Sequence, residues 1–253
     1  MARYDFRSPR LHLEATLSSG AEIGLGKSQA HYLQNVLRLK PGDWVLVFNG
    51  RDGEWRAALS GAGKRAALTL QEPTRGQTLP LDLHYLFAPL KHERLDYMVQ
   101  KAVEMGVSHL QPVLTQHAQA QRIKVERVRA NAIEAAEQCG VLTVPEVCEP
   151  ISFGRALGER QPDRLLVFCD EDAEVKDPIA ALSAARAAPG QARATPPLAV
   201  LVGPEGGFSD AERAAELKEP NVVRLALGPR ILRADTAAVA ALALVQAVLG
   251  DWR

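Results

Sequence analysis

Two glycine-bearing stretches decide how this chain is read: Leu201-Val-Gly-Pro-Glu-Gly-Gly-Phe-Ser209 and Leu225-Ala-Leu-Gly-Pro-Arg-Ile-Leu-Arg-Ala-Asp-Thr236. Each is entered from an apolar run of strand length, Leu198 to Val202 and Val222 to Leu227, and turn residues stop each run abruptly. A glycine turn after a buried strand brings bare backbone N–H and C=O groups close to a small ligand, and two such turns can frame one cleft. Helix signals follow both. Ser209 with Glu212 forms a capping box that opens a helix through Leu217. Ala237 to Leu249 is apolar almost all round, broken only by Gln246, which predicts a helix buried on most faces and too short to cross a bilayer.

Working outward, Asp82 to Phe87 and Leu165 to Cys169 read as strands alternating with helices, the pattern of an open α/β sheet. Leu95, Met98, Val99, Ala102, Val103 and Met105 recur at helical spacing and predict a buried stripe that leaves Arg94 and Lys101 more exposed. A second helix over Glu126 to Cys139 places Val128, Ala132, Ile133 and Ala136 on one face and stops at Gly140. Near the start, the β-type runs Trp44 to Phe48 and Ala66 to Leu70 are separated by Asn49-Gly50 and Gly61-Ala-Gly63, a spacing that suggests a small barrel. A boundary near Glu72 to Pro80 then divides the chain into domains of residues 1–75 and 80–253. The low-complexity stretch 184–197, rich in Ala, Pro and Gly, reads as a connection without chemistry of its own.

A length of 253 residues with 47% hydrophobic content supplies a substantial core. Cys139, Cys148 and Cys169 are odd in number and lack CxxC spacing, so neither a disulfide framework nor a cysteine metal site is indicated. The six histidines show no ligand pairing at helical spacing, and no metal is assigned. Met1-Ala-Arg-Tyr-Asp-Phe-Arg7 has no apolar run of signal-peptide type, so a cytoplasmic location is expected. Formal net charge is zero, yet residues 1–78 carry 11 Lys and Arg against 7 Asp and Glu, which makes the N-terminal part the better candidate for meeting phosphate. Ala21-Glu-Ile-Gly-Leu-Gly-Lys-Ser28 fits a relaxed phosphate-loop pattern, but the polar residues before it argue for a plain turn.

The strings Gly203-Pro-Glu-Gly-Gly-Phe-Ser-Asp210 and Leu227-Gly-Pro-Arg-Ile-Leu-Arg-Ala-Asp-Thr-Ala237 resemble the knot motifs of SPOUT-class RNA methyltransferases, most closely the RsmE type. His31 to Asp43, Lys91 with Gln100 to Val107, and Ala132 to Gln138 match the same family in the same order. The resemblance implies a PUA-like β-barrel for RNA followed by an α/β SPOUT domain with a C-terminal trefoil knot. It also implies a homodimer with the last helix in the subunit seam. The implied reaction is methyl transfer from S-adenosylmethionine to N3 of a uridine in 16S ribosomal RNA. Another SPOUT substrate, such as transfer RNA or another ribosomal site, and a non-catalytic assembly factor stand as alternatives.

By the same resemblance, backbone groups at Leu201, Gly203, Gly207, Leu227, Gly228, Ile231 and Leu232 would hold the cofactor. Arg233 would grip a phosphate or the uracil oxygens as N3 loses its proton, a role suited to a planar, permanently charged donor fork. Asp235 would act as base, orient one, or serve as an ordinary helix N-cap. Many relatives carry Glu there, and the shorter side chain weakens the base reading. Glu205 would orient substrate or sit at a subunit contact. RNA contacts are expected from Arg38 and Lys40 in the first domain and from Lys91, Arg94 and Lys101 at the cleft. Because N3 lies on the pairing edge, the target base must be unpaired or flipped out.

Overall fold

The computed structural model describes residues 8–120, 122–174, 177–186 and 196–252. The chain divides into two compact units, residues 1–79 with 136–144, and 80–135 with 145–253. Most of the low-complexity stretch read at 184–197 lies outside the described residues.

The first unit contains β1 (Arg10–His12), β2 (Glu22–Gly24), α1 (Lys27–His31), β3 (Trp44–Phe48), β4 (Glu54–Ser60) and β5 (Ala67–Arg75). They form a five-stranded sheet in the order β1-β3-β4-β5-β2, antiparallel except where β1 runs parallel to β3. The alternation along β4 buries Ala57 and Leu59, which join Leu33, Val45, Val47, Leu68 and Leu70 in one core, while Glu54 is buried out of phase with them, beyond the register shifts of this strand. Two register shifts in the β4–β5 pairing mark irregularities of the kind that bend a sheet around its core. The phosphate-loop-like stretch is not the plain turn expected of it. It forms edge strand β2 and the start of the five-residue α1, whose N-cap Gly26 donates its N–H to Gln29 Oε1 at 3.1 Å.

Residues 136–144 count with this unit for an electrostatic reason. A helix ends there, and its last carbonyls have no partner within the helix. Buried Arg10 donates Nη1 to the Ala136 carbonyl at 2.6 Å and Nη2 to the Val141 carbonyl at 2.8 Å, while Arg75 Nη2 reaches the Gly140 carbonyl at 2.9 Å. Both guanidiniums also bind buried Glu54, through Arg10 Nε and Arg75 Nε, each at 2.9 Å.

The second unit runs β6 (Leu83–Phe87), α2 (His92–Glu104), β7 (His109–Leu114), α3 (Val125–Cys139, its last turn counted with the first unit), β8 (Glu146–Val147), β9 (Ile151–Ser152), α4 (Phe153–Gly158), β10 (Leu165–Cys169), α5 (Pro178–Arg186), β11 (Leu198–Val202), α6 (Asp210–Glu216), β12 (Val222–Leu225) and α7 (Ala234–Val248). All pairings are parallel, in the order β12-β10-β11-β6-β7-β8, with β9 also on β7. Strand β11 is buried at all five positions, as a central parallel strand covered on both faces must be. From β10 the chain steps inward to β11 and then crosses β10 outward to β12, over the segment where the resemblance places the knot.

Helix α2 buries Leu95, Met98, Val99, Ala102 and Val103. Helix α7 begins at Ala234, three residues before the apolar run. Its single interior polar residue, Gln246, is fully buried and donates Nε2 to the carbonyl of Met105, the C-cap of α2, at 2.6 Å. No helix among the described residues is long and apolar enough to cross a membrane.

Candidate active site

The two glycine turns leave the ends of β11 and β12 and frame one cleft. Of the residues expected at a cofactor, Gly203, Gly207, Leu227, Gly228, Ile231 and Leu232 line it. Leu201 does not: it is fully buried in β11, in a core with Phe168 and Phe208. The first turn depends on close packing. A Cβ at Gly203 would stand 2.6 Å from the Phe208 ring, and that ring is anchored on Phe168 at a centroid distance of 4.6 Å. Gly207 has φ +68 and Gly228 φ +95, the left-handed region that glycine enters without strain.

Helix α6 is capped as the sequence predicts, and the box extends further. Ser209 Oγ accepts from the Glu212 N–H, and Glu212 Oε2 accepts from the Ser209 N–H at 2.9 Å. Glu212 Oε1 accepts from the Gln116 N–H at 2.8 Å. The segment after β7 is therefore clamped to the first turn. His117 Nδ1 lies 3.2 Å from the Gly206 carbonyl, and Gln119 Nε2 donates to Glu205 Oε2 at 2.7 Å. Sequence reasoning missed His117 and Gln119, because their partners lie more than 80 positions away.

Three residues predicted separately meet at Arg94. Its Nε and Nη2 form a fork on Asp235, at 3.1 and 3.0 Å, and its Nη1 is bonded to Glu205. Hydrogen bonding to Arg94 holds both carboxyls below the ordinary carboxylate range, Gln119 adding to the effect at Glu205 and the Thr236 N–H at Asp235. Arg94 is thus half-buried and ion-paired rather than exposed. Lys101, also expected to be exposed, is half-buried and pairs with Glu104 at 2.7 Å. Asp235 is not the N-cap of α7. Arg233 holds that position, in extended conformation, and Asp235 lies in the first turn.

Arg233 is exposed, and so is cleft-lining Arg230; neither forms a salt bridge among the described residues, though the charge of Arg233 adds to the lowering of the Glu205 carboxyl. The cleft floor carries Asp170, whose buried carboxylate meets Arg213 and Arg224. Beside it, burial and the Asp170 charge push the Cys169 thiol up to about 12, so it stays neutral. In the first unit Arg38, at φ 58, and Lys40 are exposed, as is Lys91 at the N-cap of α2. Among the described residues no cluster of three or more His, Cys, Asp or Glu is disposed to hold a metal ion.

Residues 77–246 match the RNA methyltransferase domain family, and residues 25–70 the RNA methyltransferase PUA domain. The chain belongs to the RNA methyltransferase family. This RNA methyltransferase is 30% identical to the ribosomal RNA small subunit methyltransferase E of Rickettsia conorii, over 94% of each chain. It is 31% identical to the protein of that name from Synechocystis sp., over 90% of this chain and 74% of that one. Its structure is similar to that of a ribosomal RNA small subunit methyltransferase E from Neisseria gonorrhoeae bound to S-adenosyl methionine, with TM-score 0.82, 28% identity, and coverage of 98% of this chain and 100% of that one. A putative methyltransferase from Legionella pneumophila, in complex with the bound cofactor SAM, gives TM-score 0.79 and 26% identity over 95% and 98% of the two chains. The framed cleft of this RNA methyltransferase lies within the residues matched to the methyltransferase domain.

Proposed function

We propose that this RNA methyltransferase transfers the methyl group of S-adenosylmethionine to N3 of one uridine in the 16S ribosomal RNA of the small subunit. The observation that carries the reading is the cleft between the two glycine turns, lined by exposed Arg230, with exposed Arg233 next in the chain to the lining residues Leu232 and Ala234. Its residues suit the cofactor. Val202, Leu225, Leu227, Leu232 and Ala237 supply apolar walls for an adenosyl group. At Gly228 there is open space where a Cβ would stand, so a ligand can approach the main chain. When bound, the cofactor supplies an activated methyl on a sulfonium.

The chain's own groups then orient the acceptor, and its N3 proton passes to solvent water. Uracil N3 carries a hydrogen at neutral pH and becomes nucleophilic as it leaves. Arg233 stabilises the charge that develops on the uracil oxygens, a task for a rigid, always charged fork. Asp235 and Glu205, held ionised by Arg94, are too weakly basic to be tuned for taking that proton. They instead fix Arg94 between the start of α7 and the first glycine turn. Arg38 and Lys40 of the first unit meet RNA phosphates. The enzyme acts in the cytoplasm as a homodimer, and α7 offers Val239, Ala240, Ala243 and Leu244, only half-buried within one chain, to that contact.

The test is transfer of labelled methyl to small ribosomal subunits, and in parallel to naked RNA, from cells lacking the gene, with the nucleoside identified by mass spectrometry. The expected product is 3-methyluridine at one position. Donor binding without transfer to either substrate would direct attention to transfer RNA, and then to a non-catalytic assembly role.

A further inference from the structure

Apart from the cofactor cleft, the second unit holds an open groove that neither glycine turn lines. Its apolar wall is built from Leu90, Leu95, Ile123 and Val128, of which all but Ile123 are buried. Its rim carries Lys91, Arg122, Lys124 and Arg127 against Asp96 and Glu149. Arg127 is neutralised by Asp96, through Nε to Oδ1 at 3.2 Å and a second bond from Nη2. Lys91, Arg122 and Lys124 are exposed, and none of them pairs with a carboxylate among the described residues. In a chain of zero net charge, three such cations around an apolar wall form a concentrated feature.

The groove adjoins the active site through one layer of chain. On α2, Arg94 reaches Glu205 and Asp235, while its neighbour Leu95 lines the groove. On the segment after β7, Gln119 reaches Glu205, while its neighbour Ala120 lines the groove.

We propose that this groove is a second RNA subsite, which receives an unpaired nucleotide flanking the target uridine. The base lies on the apolar wall, and Lys91, Arg122 and Lys124 hold the phosphates on either side of it. Unpaired RNA is the ligand that presents both chemistries at this spacing, a flat apolar base face between two negative charges. The N-termini of α2 and α3, next to Lys91 and Lys124, add partial positive charge at the same rim. The proposal rests on the RNA methyltransferase reading and extends it by a base beyond the one methylated.

The experiment compares full-length wild type, the triple variant K91A/R122A/K124A and the charge-keeping K91R/R122K/K124R. Affinity for a short unpaired fragment of small-subunit rRNA is measured across a salt series, with S-adenosylmethionine affinity measured separately by calorimetry. The alanine triple is expected to bind RNA roughly 10- to 100-fold more weakly at low salt, and to lower the slope of log K against log salt by about 1.4, at ~0.7 for each of the two phosphates no longer neutralised. Cofactor affinity stays unchanged, and the charge-keeping variant retains RNA binding. A 4-thiouridine placed beside the target should crosslink to the peptides around Leu95 and Ile123. Unchanged RNA affinity and salt slope would overturn the proposal. So would unchanged fragment binding with lost methylation of assembled subunits, which would assign the groove to a ribosomal protein. Because binding is read apart from methyl transfer, a wild type that binds RNA but transfers nothing would sink the functional reading alone.

Discussion

Arg94 connects groups that lie far apart in the chain. Its fork occupies both oxygens of Asp235, and its remaining Nη1 takes one oxygen of Glu205, so a single side chain orders the start of α7 and the first glycine turn. Lysine cannot reproduce a planar fork. Arg94→Lys and Arg94→Gln are therefore both expected to lower kcat about 10- to 100-fold, the cost of a misplaced but intact site. Cofactor affinity should hold within a few-fold, and full activity in Arg94→Lys would show that charge alone suffices. The same linkage predicts a pH signature. With the Asp235 carboxyl depressed by Arg94, the stabilisation it adds is present above the ordinary carboxylate pKa and is lost as pH falls through the depressed one. At Gly203 the prediction is steric. Gly203→Ala would push a Cβ to 2.6 Å from Phe208, and is expected to cost about 1–3 kcal/mol, read as a lowered Tm together with weakened cofactor binding.

Helix α6 carries an unusual inward residue, Glu216, fully buried with neither carboxylate oxygen hydrogen-bonded. Burial, with Asp170 and Glu219 nearby, pushes its carboxyl up to about 7 against the pull of Arg224 and Arg160. The sign follows from linkage. The folded chain keeps this proton where the unfolded chain has lost it, so stability falls as pH rises from the ordinary carboxylate value to about 7 and stays low above that. Glu216→Gln should therefore raise Tm at pH 8, by up to ~3 kcal/mol in stability, with the gain vanishing near pH 4.5. A gain independent of pH would refute the assignment. Buried Glu54 behaves in the opposite way. Desolvation would push its carboxyl up, but hydrogen bonds from Arg75 and Thr74 and the charges of Arg75 and Arg10 bring it below the ordinary value. Glu54→Gln removes the buried carboxylate that Arg10 and Arg75 share, an expected loss of about 3–5 kcal/mol by denaturant unfolding. Neither residue stood out in the sequence, since a Glu in a helix or a strand is ordinarily solvated.

The two units divide the proposed labour. Variation of Arg38 and Lys40 to alanine should raise KM for RNA, steepest at low salt, with cofactor affinity unchanged. A matching change in cofactor affinity would contradict the division.

Much of the architecture was legible in residue order because its signals are local. The runs at 44–48, 165–169 and 198–202 match β3, β10 and β11, and the Ser209–Glu212 box opens α6 where period and capping predict. Apolar periodicity and capping act over a few residues, so a single chain displays them directly. The glycine turns were equally visible, because the left-handed backbone at Gly207 and Gly228 demands a residue without Cβ. Only tertiary structure decided which carboxylates Arg94 meets. Arg94 and Asp235 are 141 positions apart, and no local pattern announces an ion pair across that separation. Tertiary structure likewise moved residues 136–144 to the first unit, because helix-end carbonyls take their donors from whatever guanidinium the fold brings near, here Arg10 and Arg75.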